Sequence, residues 1–227
     1  MKLKEIIIIL TGAYGGIGSE TARLLLDAGA RVVLVGRNNK KMNDLIEELP
    51  LTDNNIIAVV ADVSLESDRQ KIIDKALSAF GNIDVLINLA GSMSFNEFSQ
   101  EDTETTDRLF QVNVLAPMHL TKMVIPHMVE RGSGQIVNIG SIFGSISFAW
   151  FATYSSTKFA LRGFSEALRR ELDGTGVMVS YIAPRAVRTA FNSDSMTQMC
   201  DHSKTKMDSP SEVAKDIVNA IKLDTKE

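Results

Sequence analysis

The sequence has little of what marks a secreted, membrane-bound or nucleic-acid-binding protein. Its 227 residues contain one cysteine, Cys200, so no disulfide can form within the chain, as is typical of a reducing cytosol. No apolar run approaches the roughly 18 residues of a membrane span, and Ile6–Leu10 is shorter than the roughly 7–15 apolar residues of a signal peptide. The net charge is only −4 and the basic residues are scattered, which does not favour nucleic-acid binding. We therefore expect a cytoplasmic protein.

The chain also lacks an interdomain linker, an internal repeat of 20–50 residues and a low-complexity stretch. With 44% hydrophobic and 23% charged residues, its composition is that of an ordinary globular protein. These features predict one domain over residues 1–227.

Short apolar runs alternate with segments of helical periodicity. The expected strands are 6–10, 32–35, 56–61, 85–88, 136–139 and 177–183, and the expected helices lie near 17–28, 39–48, 66–79, 103–131, 154–173 and 211–222. Continuous apolar runs are typical of strands buried on both faces, so the pattern predicts an α/β fold with a doubly wound, Rossmann-like parallel sheet. The polar segment 190–208 has no clear periodicity, and we expect a long loop that is functional, mobile or both.

The stretch TGAYGGIG, residues 11–18, joins the first expected strand to the first expected helix. Glycines there let another molecule approach the backbone, and the N-terminus of the helix favours a phosphate group. A plain tight turn is the alternative. The spacing is T-G-x-x-x-G-x-G and differs from the G-x-G-x-x-G dinucleotide fingerprint.

Six motifs in order resemble those of the short-chain dehydrogenase/reductase family, over residues 5 to about 222. They are the glycine loop with Thr11, Gly12, Gly16 and Gly18; Asp62-Val63; Asn88-Leu89-Ala90-Gly91; Asn113-Val114; Ser141; and Tyr154-Ser155-Ser156-Thr157-Lys158. Each alone is a weak indication, but together they are specific. The resemblance implies an oxidoreductase of the carbonyl/alcohol type that uses a nicotinamide dinucleotide.

The resemblance implies a catalytic set of Ser141, Tyr154, Lys158 and Asn113. Tyr154 and Lys158 lie at i and i+4 and so share one face of a helix. At about 4 Å, a lysine ammonium would favour the phenolate by about 4 kcal/mol at an effective dielectric of ~20, so we expect a lowered pKa for Tyr154. Ser141 would hold the substrate oxygen, and Asn113 would position a water beside Lys158. A solvated helix face with an exposed lysine is the alternative.

The end of the second strand reads Gly36-Arg37, where an acidic residue would favour NAD. A guanidinium suits the 2′-phosphate of NADP, so NADP(H) is preferred and NAD(H) is the alternative. Tyr14 and Gly15 offer no second cation in the glycine loop. The expected cofactor-binding residues are Gly12, Tyr14, Gly16, Ile17, Gly18, Arg37, Asp62, Val63, Asn88, Ala90, Gly91, Tyr154, Lys158, Pro184, Val187 and Thr189.

Three features at the substrate end depart from the family pattern or extend it. Arg185 replaces a glycine that usually follows Pro184, and either contacts a ligand or lies on the surface. Phe148, Trp150 and Phe151 favour a bulky apolar substrate, although dimer or lid packing would explain them equally well. Only four residues follow Leu223, so we expect the usual last strand to be missing, and a homodimer through the helices near 103–131 and 154–173.

Two other functions remain open at this point. A catalytically silent NAD(P)-sensing or scaffold protein could share the fold, although it would not need Tyr154. A nucleotide-sugar epimerase is disfavoured because the C-terminal region is short. No metal-ligand set is expected, and the sequence does not name the substrate.

Overall fold

A computed structural model describes residues 2–50 and 55–223. Six parallel strands form one sheet in the order β3-β2-β1-β4-β5-β6. The strands are β1 Ile7–Thr11, β2 Arg31–Gly36, β3 Ile56–Val60, β4 Val85–Asn88, β5 Gly134–Ile139 and β6 Val177–Ile182. The doubly wound sheet predicted from the apolar runs is confirmed, and within the described ranges no seventh strand follows β6. The last four residues, 224–227, lie outside the description.

Eight α-helices accompany the sheet within the same ranges. They are α1 Gly16–Asp27, α2 Asn39–Glu48, α3 Glu66–Phe80, α4 Thr103–Phe110, α5 Ala116–Arg131, α6 Ala152–Glu171, α7 Asp194–His202 and α8 Pro210–Leu223. Because side chains alternate along a strand, Ile8 of β1 packs in one apolar layer with α1, α2 and α8, while Ile9 packs in the other with α3 and α5.

The structure differs from the expected helices in two places. The helix expected over 103–131 contains a π-helical turn, Gln111–Leu115, between α4 and α5. The segment expected as a loop, 190–208, contains the helix α7 over 194–202, so that prediction was wrong there. The side chain of Ser193 begins α7 by accepting a hydrogen bond from Met196 N at 3.2 Å.

Candidate active site

The carboxyl ends of all six strands open into one cavity of about 560 Å³. The segments after β1 and after β4 both line it, and the strand order reverses between these two strands. Such a reversal is where open α/β sheets bind their ligands. The fold therefore favours a ligand site where the sequence motifs meet.

The glycine loop packs so closely against neighbouring segments that three of its glycines leave no room for a Cβ atom. Gly12 has φ +71°, and a Cβ there would lie 2.9 Å from Ala90 Cα. A Cβ on Gly16 would lie 2.7 Å from Thr189 Cγ2, and one on Gly18 would collide with the carbonyl oxygen of Gly12. The N-cap of α1, Gly15, offers no side chain to the first N–H groups of that helix. Those donors and the helix dipole are arranged to receive an anion.

At the end of β2 the exposed Arg37 lines the cavity, as does Asp62 after β3. Burial acts to raise the pKa of the Asp62 carboxyl, but hydrogen bonds from Ser64 and the charge of Arg37 outweigh it, and the pKa lies below its ordinary value. Within the described residues, Arg37 takes part in no hydrogen bond or ion pair. The guanidinium is therefore available to a ligand.

The glycine loop contains no cationic side chain, but α2 places one, Lys41, next to Tyr14. The Tyr14 ring covers Gly36 so closely that a Cβ on this glycine would clash with it. Lys41 Nζ lies 5.9 Å from the centre of the same ring. Lys41 could not be chosen from the sequence alone, because its contact with Tyr14 depends on how α2 packs.

Tyr154 and Lys158 are buried side by side on the first turns of α6. Lys158 Nζ donates to the carbonyl oxygen of Ile139 at 3.0 Å and lies 5.7 Å from the centre of the Tyr154 ring. Ser141, at the end of β5, lies near the Tyr154 hydroxyl and acts to lower its pKa. The same serine accepts from Phe143 N at 3.2 Å, which fixes its rotamer. These three expected catalytic residues therefore meet in the cavity.

The expected lowering of the Tyr154 pKa by Lys158 does not occur in the chain alone. Burial raises the pKa of the phenol to about 12, and the hydrogen bond with Ser141 opposes it only in part. Burial also lowers the pKa of the Lys158 ammonium to about 8. Both shifts have one cause, since a low-dielectric site disfavours either charged form. Tyr154 is thus a protonated phenol at neutral pH.

Asn113 lies in the π-helical turn, and its side chain does not reach the cavity. It accepts from Ser92 N at 2.8 Å, and donates to Ser92 O at 2.8 Å and to Thr157 Oγ1 at 3.0 Å. Thr157 in turn donates to Tyr154 O at 2.7 Å. The Asn113 side chain therefore joins the loop after β4 to the helix that carries the tyrosine, and its expected role beside Lys158 stays a prediction.

The side chain of Asn88, which was expected beside the cofactor, does not line the cavity. Its buried side chain lies within the sheet layer and donates to Asn138 Oδ1 at 2.8 Å and Thr121 Oγ1 at 3.3 Å. The other expected residues do line the cavity, namely Gly12, Tyr14, Gly16, Ile17, Gly18, Arg37, Asp62, Val63, Ala90, Gly91, Pro184, Val187 and Thr189.

Arg185 lies on the surface at the rim of the cavity, paired with an acidic side chain. Its guanidinium binds the Asp208 carboxylate through two hydrogen bonds, and its side chain remains 63% exposed. Hydrogen bonding and the charge of Asp208 raise the pKa of Arg185 above its ordinary value.

Near the residues expected to bind the substrate, one wall of the cavity was not predicted from the sequence. Met196, Met199 and Cys200 line the cavity from α7, and Met93 and Phe143 line it from other segments. The three α7 residues occupy positions i, i+3 and i+4, directly after the capping Ser193. That spacing was the available indication of the helix. The polar residues among these three made the helical spacing hard to recognise.

Two kinds of feature are missing from residues 2–50 and 55–223. No three His, Cys, Asp or Glu side chains are grouped so that they could bind a metal ion. No helix there has the length and apolarity needed to span a bilayer.

Comparisons with known proteins give a consistent result. A family model described as short chain dehydrogenase matches residues 6–199. The uncharacterized oxidoreductase YxnA of Bacillus subtilis is 37% identical over 194 residues, which are 84% of this chain and 54% of that protein. The uncharacterized oxidoreductase SERP2049 of Staphylococcus epidermidis is 31% identical, over 97% of this chain and 92% of its own length. The crystal structure of 3-ketoacyl-(acyl-carrier-protein) reductase from Brucella melitensis complexed with NADH superposes with a TM-score of 0.86 at 26% identity, over 96% of this chain and 91% of that one.

Proposed function

Because this chain belongs to the short-chain dehydrogenase family, we propose that it transfers a hydride between a nicotinamide dinucleotide and a carbonyl/alcohol substrate, with Ser141, Tyr154 and Lys158 as its catalytic residues. The observation that carries the proposal is the buried Tyr154 side chain, which lines the cavity together with Ser141 and Lys158. A sensor or scaffold of the same fold has no use for a proton donor at this point.

In carbonyl reduction, Tyr154 gives its phenolic proton to the substrate oxygen. Its raised pKa keeps that proton in place at neutral pH, which suits an acid that acts only on a bound carbonyl. Ser141 holds the same oxygen by a hydrogen bond, and the Lys158 ammonium stabilises the phenolate left behind. Asn113, through Thr157, holds the helix that positions the tyrosine. A bound nicotinamide dinucleotide supplies or accepts the hydride.

The cavity suits a dinucleotide, and we assign NADP(H) as the preferred form. The glycine loop, which has no room for Cβ atoms, would hold the pyrophosphate against the N-terminus of α1. Arg37 would bind the 2′-phosphate, and Lys41 supports this because it approaches Tyr14 at the same strand end. Asp62 and Val63 would contact the adenine. The NADH bound to the Brucella reductase makes NAD(H) the alternative.

We also propose a small-molecule substrate with a bulky apolar part and a homodimeric assembly. The apolar side chains around Tyr154 support the first. Exposed apolar side chains on the helices expected at the interface support the second, namely Phe110, Val129 and Phe159. Sedimentation of the purified chain tests the assembly, because a monomer would contradict it.

The decisive experiment is NADPH oxidation by the purified chain with a panel of ketones and aldehydes. Turnover that requires both the carbonyl compound and NADPH is the expected result. Tight NADPH binding without turnover of any panel member would favour the silent sensor instead. Parallel assays with NADH determine which cofactor the wild-type chain prefers.

A further inference from the structure

A row of aromatic rings leads from the catalytic tyrosine to the surface. The Tyr154 and Phe143 rings meet edge to face with centres 6.3 Å apart, and Phe143 and Phe148 are stacked with centres 6.4 Å apart. Phe148 is 57% exposed and belongs both to the cavity wall and to an exposed apolar loop that includes Ile146 and Trp150. Apolar side chains therefore line the cavity from Tyr154 to its opening at the substrate end.

The helix α7 adds a second apolar wall of a different kind. Met196 and Cys200 pack in one cluster with Tyr154, and Met199 lies at its edge. Methionine side chains are flexible and polarizable, and they adapt to irregular partners. Such a wall favours hydrophobic ligands without demanding one shape.

Charged groups are scarce at this end of the cavity. Of the charged side chains that line it, Arg37 and Asp62 lie beyond the glycine loop, at the end expected to bind adenosine. Lys158 donates to Ile139 O, and Arg185 is paired with Asp208. Among the described residues, both cations that line the substrate end are therefore already engaged by the protein, and burying an anion there without a full partner would be costly.

We propose that the substrate is an uncharged ketone or aldehyde with an extended apolar body, which lies along Phe143 and Phe148 and against the sulfur side chains of α7. This rests on the proposed function. In the reduction the carbonyl carbon gains a C–H bond from the hydride that NADPH gives up, and the oxygen gains the Tyr154 proton as the C=O π bond breaks. NADPH leaves as NADP⁺, and solvent returns a proton to Tyr154.

The test compares 2-butanone, 2-hexanone, 2-octanone and 2-decanone, with 7-oxooctanoate as a charged match for 2-octanone. We expect kcat/KM with NADPH to rise about fourfold for each methylene that becomes buried. The oxoacid, which replaces a terminal methyl by a carboxylate, should be at least about tenfold worse than 2-octanone. A flat length series, or an oxoacid as good as 2-octanone, would overturn the proposal while leaving the oxidoreductase function intact.

Binding gives a readout that does not depend on turnover. Trp150 is the one tryptophan of the chain and packs edge-on against Phe95, with ring centres 5.4 Å apart, beside the exposed loop. Its emission in the Tyr154→Phe variant should report tighter binding of longer ketones and weak binding of 7-oxooctanoate. If this trend appears but the wild-type chain oxidises no NADPH, the ligand class stands and the proposed function fails. No trend in binding contradicts the ligand class.

The matched variants are Phe148→Ser and Phe98→Ser. Phe148 lines the cavity, whereas Phe98 is similarly exposed, at 68%, but does not line it. Phe148→Ser should reduce the ratio of kcat/KM for 2-decanone to that for 2-butanone about five- to tenfold. Phe98→Ser should leave this ratio at the wild-type value. Equal effects of the two changes would contradict a role for the aromatic row.

Discussion

Arg185 holds Asp208 through two hydrogen bonds, from Nε to Oδ2 at 3.1 Å and from Nη2 to Oδ1 at 2.6 Å. The backbone adds two more, from Asp208 N to Ala186 O at 2.8 Å and from Arg188 N to Asp208 O at 3.0 Å. Together these bonds pin the two ends of the segment 189–207, which carries α7. The segment thus forms a loop over the cavity whose two ends are held together. Of these contacts, a substitution of a side chain can remove only the Arg185–Asp208 ion pair.

We predict that Arg185→Ala raises the KM for an apolar ketone about two- to fivefold and leaves kcat nearly unchanged. The Arg185 side chain is mostly exposed, so losing the pair should loosen α7 rather than unfold the domain. Arg185→Lys should restore only part of the effect, because an ammonium cannot form the same two-pronged contact. Steady-state kinetics measure the change in KM, and limited proteolysis of the 189–207 segment measures the loosening of α7.

The control for this pair is another exposed ion pair, Arg170–Glu166 on α6, at 2.5 Å. Arg170→Ala should leave both KM and proteolysis unchanged. The double variant Arg185→Asp with Asp208→Arg should recover much of the wild-type KM. If Arg185→Ala behaves like Arg170→Ala, the pair does not hold the loop.

Replacing Tyr154, the proposed proton donor, should have the largest effect. Tyr154→Phe removes the proton donor and keeps the buried ring, so kcat should fall at least about a hundredfold. The Kd for NADPH and the melting temperature should stay close to wild type. Stopped-flow kinetics and fluorescence titration measure the two quantities, and near-wild-type turnover would remove Tyr154 from its role.

The pH dependence should follow Lys158. Burial lowers the pKa of its ammonium to about 8, so the side chain is charged below that pH and neutral above it. If the charge stabilises the Tyr154 phenolate as it forms, the kcat for carbonyl reduction falls as the pH rises through about 8. Lys158→Arg stays charged up to a pH of about 12, so this fall should vanish even if the variant is slower. A pH profile that is flat to pH 10 in wild type would contradict the assignment.

Sequence reasoning succeeded where local pattern determines structure. The buried runs gave the strands, and the glycine loop and Tyr154 with Lys158 lie in the cavity because strand order and helical spacing place them there. It failed where the outcome depends on tertiary packing. The pKa of Tyr154 follows from burial, which the four-residue spacing to Lys158 does not reveal.

The contacts of two single side chains likewise depend on tertiary packing and could not be predicted from the sequence. The Asn88 side chain lies in the sheet layer and not in the cavity, because it donates a hydrogen bond to the buried Asn138 on the neighbouring strand. Arg185 found its partner Asp208 at the far end of the loop over the cavity, a contact that no local pattern indicates.

Thr157 is predicted to be a positioning residue that acts through its neighbours. Its hydroxyl accepts from Asn113 and donates to Tyr154 O, and it is fully buried. Thr157→Val keeps the shape but leaves the Asn113 amide without this acceptor, which should lower kcat several-fold. Thr157→Ser should restore kcat, which a purely volume-dependent role would not allow. Ser156→Ala, an exposed neighbour, is the control, and equal effects of Thr157→Val and Ser156→Ala would contradict the prediction.

Arg37 is predicted to determine the cofactor. It stands exposed at the end of β2 with no hydrogen bond or ion pair within residues 2–50 and 55–223, and Lys41 approaches the same strand end over Tyr14. Arg37→Ala should weaken NADPH binding roughly 10- to 150-fold, the value of a charge-assisted hydrogen bond, and barely change NADH binding. Lys41→Ala should weaken NADPH binding less, and Lys122→Ala, which changes an exposed lysine on α5, should not alter it.

The salt dependence provides an independent check on the same residue. An exposed contact between a guanidinium and a phosphate is screened over about 8 Å at physiological ionic strength, so the preference of the wild-type chain for NADPH should shrink as salt is added. The preference of Arg37→Ala should depend less on salt. Fluorescence titrations of both cofactors against both proteins measure this, and tighter binding of NADH than NADPH in wild type would overturn the assignment and leave Arg37 as a surface residue before α2.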